Sequence, residues 1–178
     1  ETAQAQTPAP VDPVLAAIRS KLSDPAIRKD ANAADLAALD AFYATRPGVL
    51  WVTERGFSAR AQAARFEIGE AEDWGLDAAA FELPPADALP RTPEEQAIAE
   101  IKLDLAILKY ARFAKGGRLN PLEVSELFDQ VPPLRDPNIV LAEIESAEAP
   151  DAYLQSLHPK HEQFQRLRGV GADRRGDA

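Results

Sequence analysis

The 178-residue sequence contains no cysteine, no methionine and only two histidines. Without cysteine there is no disulfide, no thiolate metal site and no thiol nucleophile, so several enzyme classes are excluded before any motif is read. The absence of methionine even at position 1 reads as a processed or excised chain, and the opening Glu1-Thr2-Ala3-Gln4-Ala5-Gln6-Thr7-Pro8-Ala9-Pro10 is what an exported, periplasmic protein often shows once its signal peptide has been removed. Residues 1–11 are too polar and aperiodic to order, and a disordered leader is expected there. No apolar run approaches the roughly 18–20 residues needed to span a bilayer, so membrane insertion is not expected. Positive charge is also in deficit. Twenty Lys and Arg stand against 29 Asp and Glu, a net charge of -9, which repels phosphates and anionic headgroups and argues against nucleic acid as a partner. Aromatic residues are 7% of the chain and β-branched residues are sparse, whereas 34 residues are alanine. That balance favours helix over sheet.

At this length one domain is expected, with a core large enough to stand alone. Helix punctuation recurs along the chain. Asp12 caps and Pro13 opens a helix whose Val14, Leu15, Ile18 and Leu22 share a face. Asp24-Pro25 can begin another turn. Leu36, Leu39, Phe42 and Tyr43 mark a second amphipathic helix, ended by Arg46-Pro47-Gly48. Val49-Leu50-Trp51-Val52 is the only dense β-like run; a lone strand makes no sheet, so an extended connector with Trp51 plugged into the core is expected. Ser58 caps a helix to about Glu72, and Asp77 caps a short one through Phe81, before the Pro84-Pro85 and Leu89-Pro90 loop. Thr92-Pro93-Glu94-Glu95 combines an N-cap, a proline at the first helical position and a capping-box glutamate. The helix it opens should run over about 93–115, carry Ile98, Ile101, Leu105 and Leu108 on one side and Leu103, Ile107 and Tyr110 on the other, and stop at Gly116-Gly117. Asn120-Pro121 and Asp136-Pro137 repeat the cap grammar for helices to about Phe128 and Ala147, and two more patterns follow over Asp151–Leu157 and Lys160–Arg168. The spacing of these starts is unequal, so no solenoid is implied. The expected fold is all-α, an irregular bundle of eight or nine helices over residues 12–168 around the long central helix, with a disordered tail at 169–178.

Constellations for chemistry are few. A serine triad would have to use His158 or His161, and no Gly-x-Ser-x-Gly elbow occurs. His158-Pro159-Lys160-His161, with Asp151 and Glu162 near, has the i, i+3 spacing of a metal pair, but Pro159 breaks the single helix such a pair needs. His158 is better read as a helix-terminal residue bonded to backbone, and no metal is expected. Glu145-Ser146 carries the Glu-Ser of lytic transglycosylases, but within a Glu/Ala helix with no glycine-rich motif downstream it reads as a solvated face. There is no phosphate-binding loop and no cofactor is implied. Phe42, Tyr43, Trp51, Phe57, Phe66, Trp74 and Phe81 gather in the first half; they either line a groove for a glycan or partner, or fill the gaps of an alanine-rich bundle, and core packing is the expected role.

Several strings occur in an order that resembles the N-terminal part of the large periplasmic L,D-transpeptidases: Leu36-x-x-Leu39-x-x-Phe42-Tyr43, Leu50-Trp51-Val52, Gly56-Phe57-Ser58, and Ala71-Glu72-Asp73-Trp74-Gly75-Leu76-Asp77 with Phe81 and Leu83. The second half is similar too, through Leu108-Lys109-Tyr110-Ala111-Arg112, Gly117-Arg118-Leu119-Asn120-Pro121, Pro132-Pro133-Leu134 and Tyr153-Leu154-x-x-Leu157-His158-Pro159-x-His161-x-x-Phe164. The resemblance spans about 12–168 and is to the scaffold domain that supports a peptidoglycan-binding module and a catalytic domain. It implies a role in peptidoglycan assembly, with peptidoglycan or cell-wall proteins as partners. The family's catalysis implies a cysteine nucleophile in a Ser-His-Gly-Cys-like motif, which this chain lacks, so no catalytic residue carries over. What remains is a non-catalytic scaffold, excised or stand-alone, whose helices should leave a less polar face where companion domains dock. Two rivals stand beside it: a periplasmic adaptor binding murein or a protein through its aromatic residues, and a glycan-cleaving enzyme using Glu145.

Overall fold

The computed structural model describes residues 12–85, 90–116 and 134–159. Capping chemistry sets where the helices begin. Asp12, Asp24, Asn32, Ser58 and Asp136 each accept a backbone N–H of the turn they precede, opening α1 (Pro13–Leu22), α2 (Pro25–Arg28), α3 (Ala33–Thr45), α4 (Ala59–Gly69) and α6 (Pro137–Ser146). α5 (Pro93–Ala114) starts in a full capping box, with the Glu95 N–H bonded to Thr92 Oγ1 and the Glu95 carboxylate accepting from the backbone N–H of Thr92. α7 (Pro150–Ser156) relies on its proline, since Ala149 offers no side-chain cap. Thr92→Ala should lower stability by about 1 kcal/mol in urea unfolding, and an unchanged midpoint would show that the box contributes nothing.

The all-α expectation holds, and the described residues contain seven α-helices rather than eight or nine. The expected helices at Asn120–Phe128 and Lys160–Arg168, the leader 1–11 and the tail 169–178 lie outside the described residues. Two expected helical stretches also differ. The helix from Ser58 stops at Gly69, and the chain tightens into a 3₁₀ turn over Ala71–Trp74. That turn closes with Leu76 N–H on Ala71 C=O and Gly75 N–H on Glu72 C=O, which requires Gly75 at φ 73°. The stretch after Asp77 is likewise a single 3₁₀ turn, Ala78–Ala80, because it ends in an extended Phe81 whose ring is buried. The presumed lone connector is instead half of a minimal antiparallel pair, β1 (Val52–Thr53) with β2 (Gly56–Phe57), in register Val52 to Phe57 and Thr53 to Gly56.

α5 is the axis of the core. Ile101, Leu103, Ile107, Leu108 and Tyr110 are buried on several sides of it, as expected of a helix covered nearly all round. α1 lays Val14, Leu15, Ile18 and Leu22 onto α5 and α3, α4 meets α7, and α6 closes against α3. Arginines finish the helix ends. Arg19 donates to the carbonyls of Tyr43 and Ala44 at 3.0 and 3.1 Å, closing α3, and Arg60 donates to those of Ile144 and Glu145 at 2.7 and 3.0 Å, closing α6.

Candidate functional site

Although an apolar helix such as α5 should bury no charge, two of its acids, Glu100 and Asp104, are fully inaccessible to solvent. They lie one turn apart on one face. Glu100 survives there because the chain after α3 turns its backbone toward it. Its Oε1 accepts from the N–H groups of Leu50 and Trp51, and its Oε2 from those of Trp51 and Val52 at 2.9 and 3.0 Å. Tyr43 Oη on α3 stands 2.9 Å from Glu100 Oε1 and 2.6 Å from Asp104 Oδ2, and the Trp51 indole N–H donates to Asp104 Oδ1 at 2.7 Å. Burial raises the pKa of Glu100 against the pull of those N–H groups. The cluster has no opening to solvent, and it clamps the residues before β1 to the central helix.

Another buried acid, Glu67 of α4, organises a separate cluster. It accepts from Trp74 Nε1 at 2.8 Å and from Gln155 of α7 at 2.7 Å, with Tyr110 Oη at 3.4 Å. Tyr110 Oη is also 2.7 Å from His158 Nε2, and the His158 ring stacks on Trp74 with centroids 4.1 Å apart and planes 5° off parallel. His158 is therefore a buried packing residue joining α5, α7 and the Trp74 turn; its backbone N–H meets Gln155 C=O as expected, and its ring Nε2 bonds the Tyr110 phenol. Among the described residues no group of three or more His, Asp or Glu could hold a metal ion. His161 and Glu162 lie outside the described residues, and Asp151 is partly buried in the first turn of α7.

The other sequence candidates separate clearly. Glu145 lies exposed near the end of α6, 3.0 Å from the Arg46 guanidinium, and Ser146 Oγ bonds back to the carbonyls of Ala142 and Glu143. That is a surface ion pair and a helix-end hydroxyl, with no second carboxylate assembled opposite for glycosidic chemistry among the described residues. Gly116, at φ 88°, ends α5 as expected, and Gly117 lies outside the described residues. Of the aromatic residues, Tyr43, Trp51 and Phe81 are core, Phe42, Phe57 and Trp74 are packed partly against it, and Phe66 is 69% exposed. Trp51 has no face left for a ligand.

A groove of about 600 Å³ lies between α5 and the α2–α3 segment. Ile27 and Ala31 form one wall, Ile98, Ile101 and Leu105 the other, and Lys102 and Lys109 stand at its rim. Of the stripe Ile98, Ile101, Leu105 and Leu108, Ile101 and Leu108 are buried in the core, whereas Ile98 is 36% exposed and Leu105 half-buried along this groove. Its far end is fixed by Arg112, which donates to both oxygens of Asp35 at 2.9 and 3.1 Å.

A family model described as "Scaffold domain" matches residues 37–170, three quarters of the chain. The chain belongs to the L,D-transpeptidase scaffold-domain family. No curated protein and no solved structure matches it. The matched span of this scaffold domain starts inside α3 and includes both buried acid clusters, so the Glu100 clamp and the Glu67–His158 network lie within the family region. α1, α2 and one wall of the groove precede it. Among the described residues no helix is long and apolar enough to cross a membrane.

Sequence reasoning missed Glu100, Asp104, Glu67 and Asp35 as buried polar anchors. For the α5 pair a signal existed: Glu100 and Asp104 recur at i, i+4 inside a run, Ile98 to Leu108, that is otherwise apolar at most positions.

Proposed function

We propose that this scaffold domain acts without catalysis in peptidoglycan assembly in the periplasm, as a rigid platform that positions companion domains or partner proteins. The family match over residues 37–170 carries the reading. Two further facts support it. The chain has no cysteine, so it cannot form the acyl-thioester that the transpeptidases it resembles depend on. Its ionisable side chains in the interior are spent on holding α3, α4, α5 and α7 together, as a platform requires, and the α2–α5 groove, where Ile27, Ile98 and Leu105 stand among charged side chains, offers a surface for a companion.

The test is sedimentation of the purified chain with intact peptidoglycan sacculi at two salt concentrations, with stem-peptide cross-linking followed in parallel. No cross-linking and no co-sedimentation is the expected result. Co-sedimentation that persists at high salt would favour a murein-binding adaptor, and cross-linking by the chain alone would end the scaffold reading.

A further inference from the structure

The Tyr43, Glu100 and Asp104 side chains make more hydrogen bonds than the phenol has protons. Tyr43 Oη is within bonding distance of a carboxylate oxygen on each side, 2.9 Å from Glu100 Oε1 and 2.6 Å from Asp104 Oδ2, and a phenol donates only once. The second contact needs a proton from one of the acids. On Glu100 both oxygens already face backbone N–H donors, Oε1 those of Leu50 and Trp51 and Oε2 those of Trp51 and Val52, so an added proton there would meet N–H groups head on. Asp104 Oδ1 faces the Trp51 indole N–H. Asp104 Oδ2 faces the phenol and is the place where a proton completes the chain.

We propose that Asp104 is kept as a neutral carboxylic acid at neutral pH, donating from Oδ2 to Tyr43 Oη, which donates in turn to the Glu100 carboxylate, and that removal of this one proton by alkali loosens the Leu50–Val52 clamp. The step is a proton loss to solvent and nothing else. It leaves two carboxylates competing for a single phenol proton in a site without water access.

The charged groups around the pair agree with this assignment. From α5 there is Glu100, from α3 Tyr43, and after α3 Arg46, whose guanidinium lies 5.8 Å from the Tyr43 ring centroid, 4.5 Å from that of Phe42, and is ion-paired to Glu145 of α6. The segment 50–52 contributes only N–H groups and the indole. Burial, then the Glu100 charge, push Asp104 up to about 8, against the Tyr43 and Trp51 hydrogen bonds and the Arg46 charge. Burial and both acids hold the Tyr43 phenol well above its ordinary value, so it remains a donor.

Because the folded-state value of Asp104 lies above the unfolded one of about 3.9, its contribution to stability is complete below pH 4 and is lost as pH rises through about 8. Asp104→Asn reproduces the neutral acid, with the amide N–H₂ toward Tyr43 and the carbonyl toward the indole. Urea unfolding of both proteins at pH 5, 7 and 9 reads the difference. The ratio of the parent's folding constant to the variant's should fall by about tenfold per pH unit from pH 5 toward 8. The variant should be at least as stable as the parent at pH 9. A variant that folds but is less stable than the parent at pH 9 would show that the anion is required and overturn the proposal. Should the variant not fold, infrared spectra of the parent decide. A protonated-carboxyl C=O stretch present at pH 7 and lost through pH 8 supports the neutral acid, and its absence at pH 7 refutes it.

Discussion

Glu100→Ala is expected to cost roughly 4 kcal/mol or more, enough to unfold a domain of ordinary stability. The argument is a count of orphaned donors. Removing the carboxylate strands the backbone N–H groups of Leu50, Trp51 and Val52 and takes one acceptor from Tyr43. A buried donor left without a partner costs about 1–3 kcal/mol, and hydrogen bonds to a charged acceptor sit at the upper end. Relief of the desolvation held by a buried anion offsets part of this but not most of it, because the stranded groups are backbone and cannot rotate away. Glu100→Gln should lose less than alanine and still fall well below the parent, since its amide N–H₂ would oppose an N–H of the 50–52 segment. Urea midpoints, with Trp51 fluorescence as the local reporter, check both. A Glu100→Ala protein within about 1 kcal/mol of the parent would mean that water satisfies those donors and that the clamp is not a source of stability.

Removing α1 and α2, so that the chain begins at Asp30, should abolish cooperative unfolding even though the matched family span starts only at residue 37. Val14, Leu15, Ile18 and Leu22 are all buried, and each is worth about 1.5–3 kcal/mol when taken from water. Their loss uncovers faces of α3 and α5 that nothing else in the described fold reaches, and it removes Arg19 from the terminal carbonyls of α3. Circular dichroism on heating, with binding of a hydrophobic dye, distinguishes the outcomes: a broad transition and strong dye binding are expected. A sharp transition near that of the parent would show that residues 30 onward hold their own core. Ile18→Ala is the graded version, with an expected loss of about 2–5 kcal/mol and retained cooperativity.

The two predictions concern opposite kinds of legibility. The α1 stripe is visible in the sequence because Val14, Leu15, Ile18 and Leu22 follow the helical period behind an Asp-Pro start, and the structure buries all four. The α5 pair is nearly invisible, because a carboxylate on a helix is ordinarily solvated and only its acceptors' partners, 48–61 residues away in sequence, make it an interior group. Ile98 shows the reverse: apolar and in phase with Ile101, Leu105 and Leu108, it stays 36% exposed in the groove between α5 and the α2–α3 segment, with Leu105 only half-buried beside it. His158 shows the same limit, since its neighbours Pro159 and Leu157 give no hint of the indole and phenol that enclose it.

By itself the sequence determined the all-α class, the helix starts at Asp12, Asp24, Ser58, Thr92 and Asp136, the long central helix, the burial of Trp51 and membership of the scaffold family, along with the exclusion of thiol chemistry. These are local or compositional properties: a cap needs a partner two or three residues away, a stripe needs one turn, and an absent residue needs no fold at all. Only the tertiary structure decided which acids are buried, which apolar residues stay at the surface, and that His158 is packed rather than poised to ligate. Those depend on which distant elements meet, and burial reverses the meaning of a charged side chain by exchanging water for a fixed set of hydrogen-bond donors.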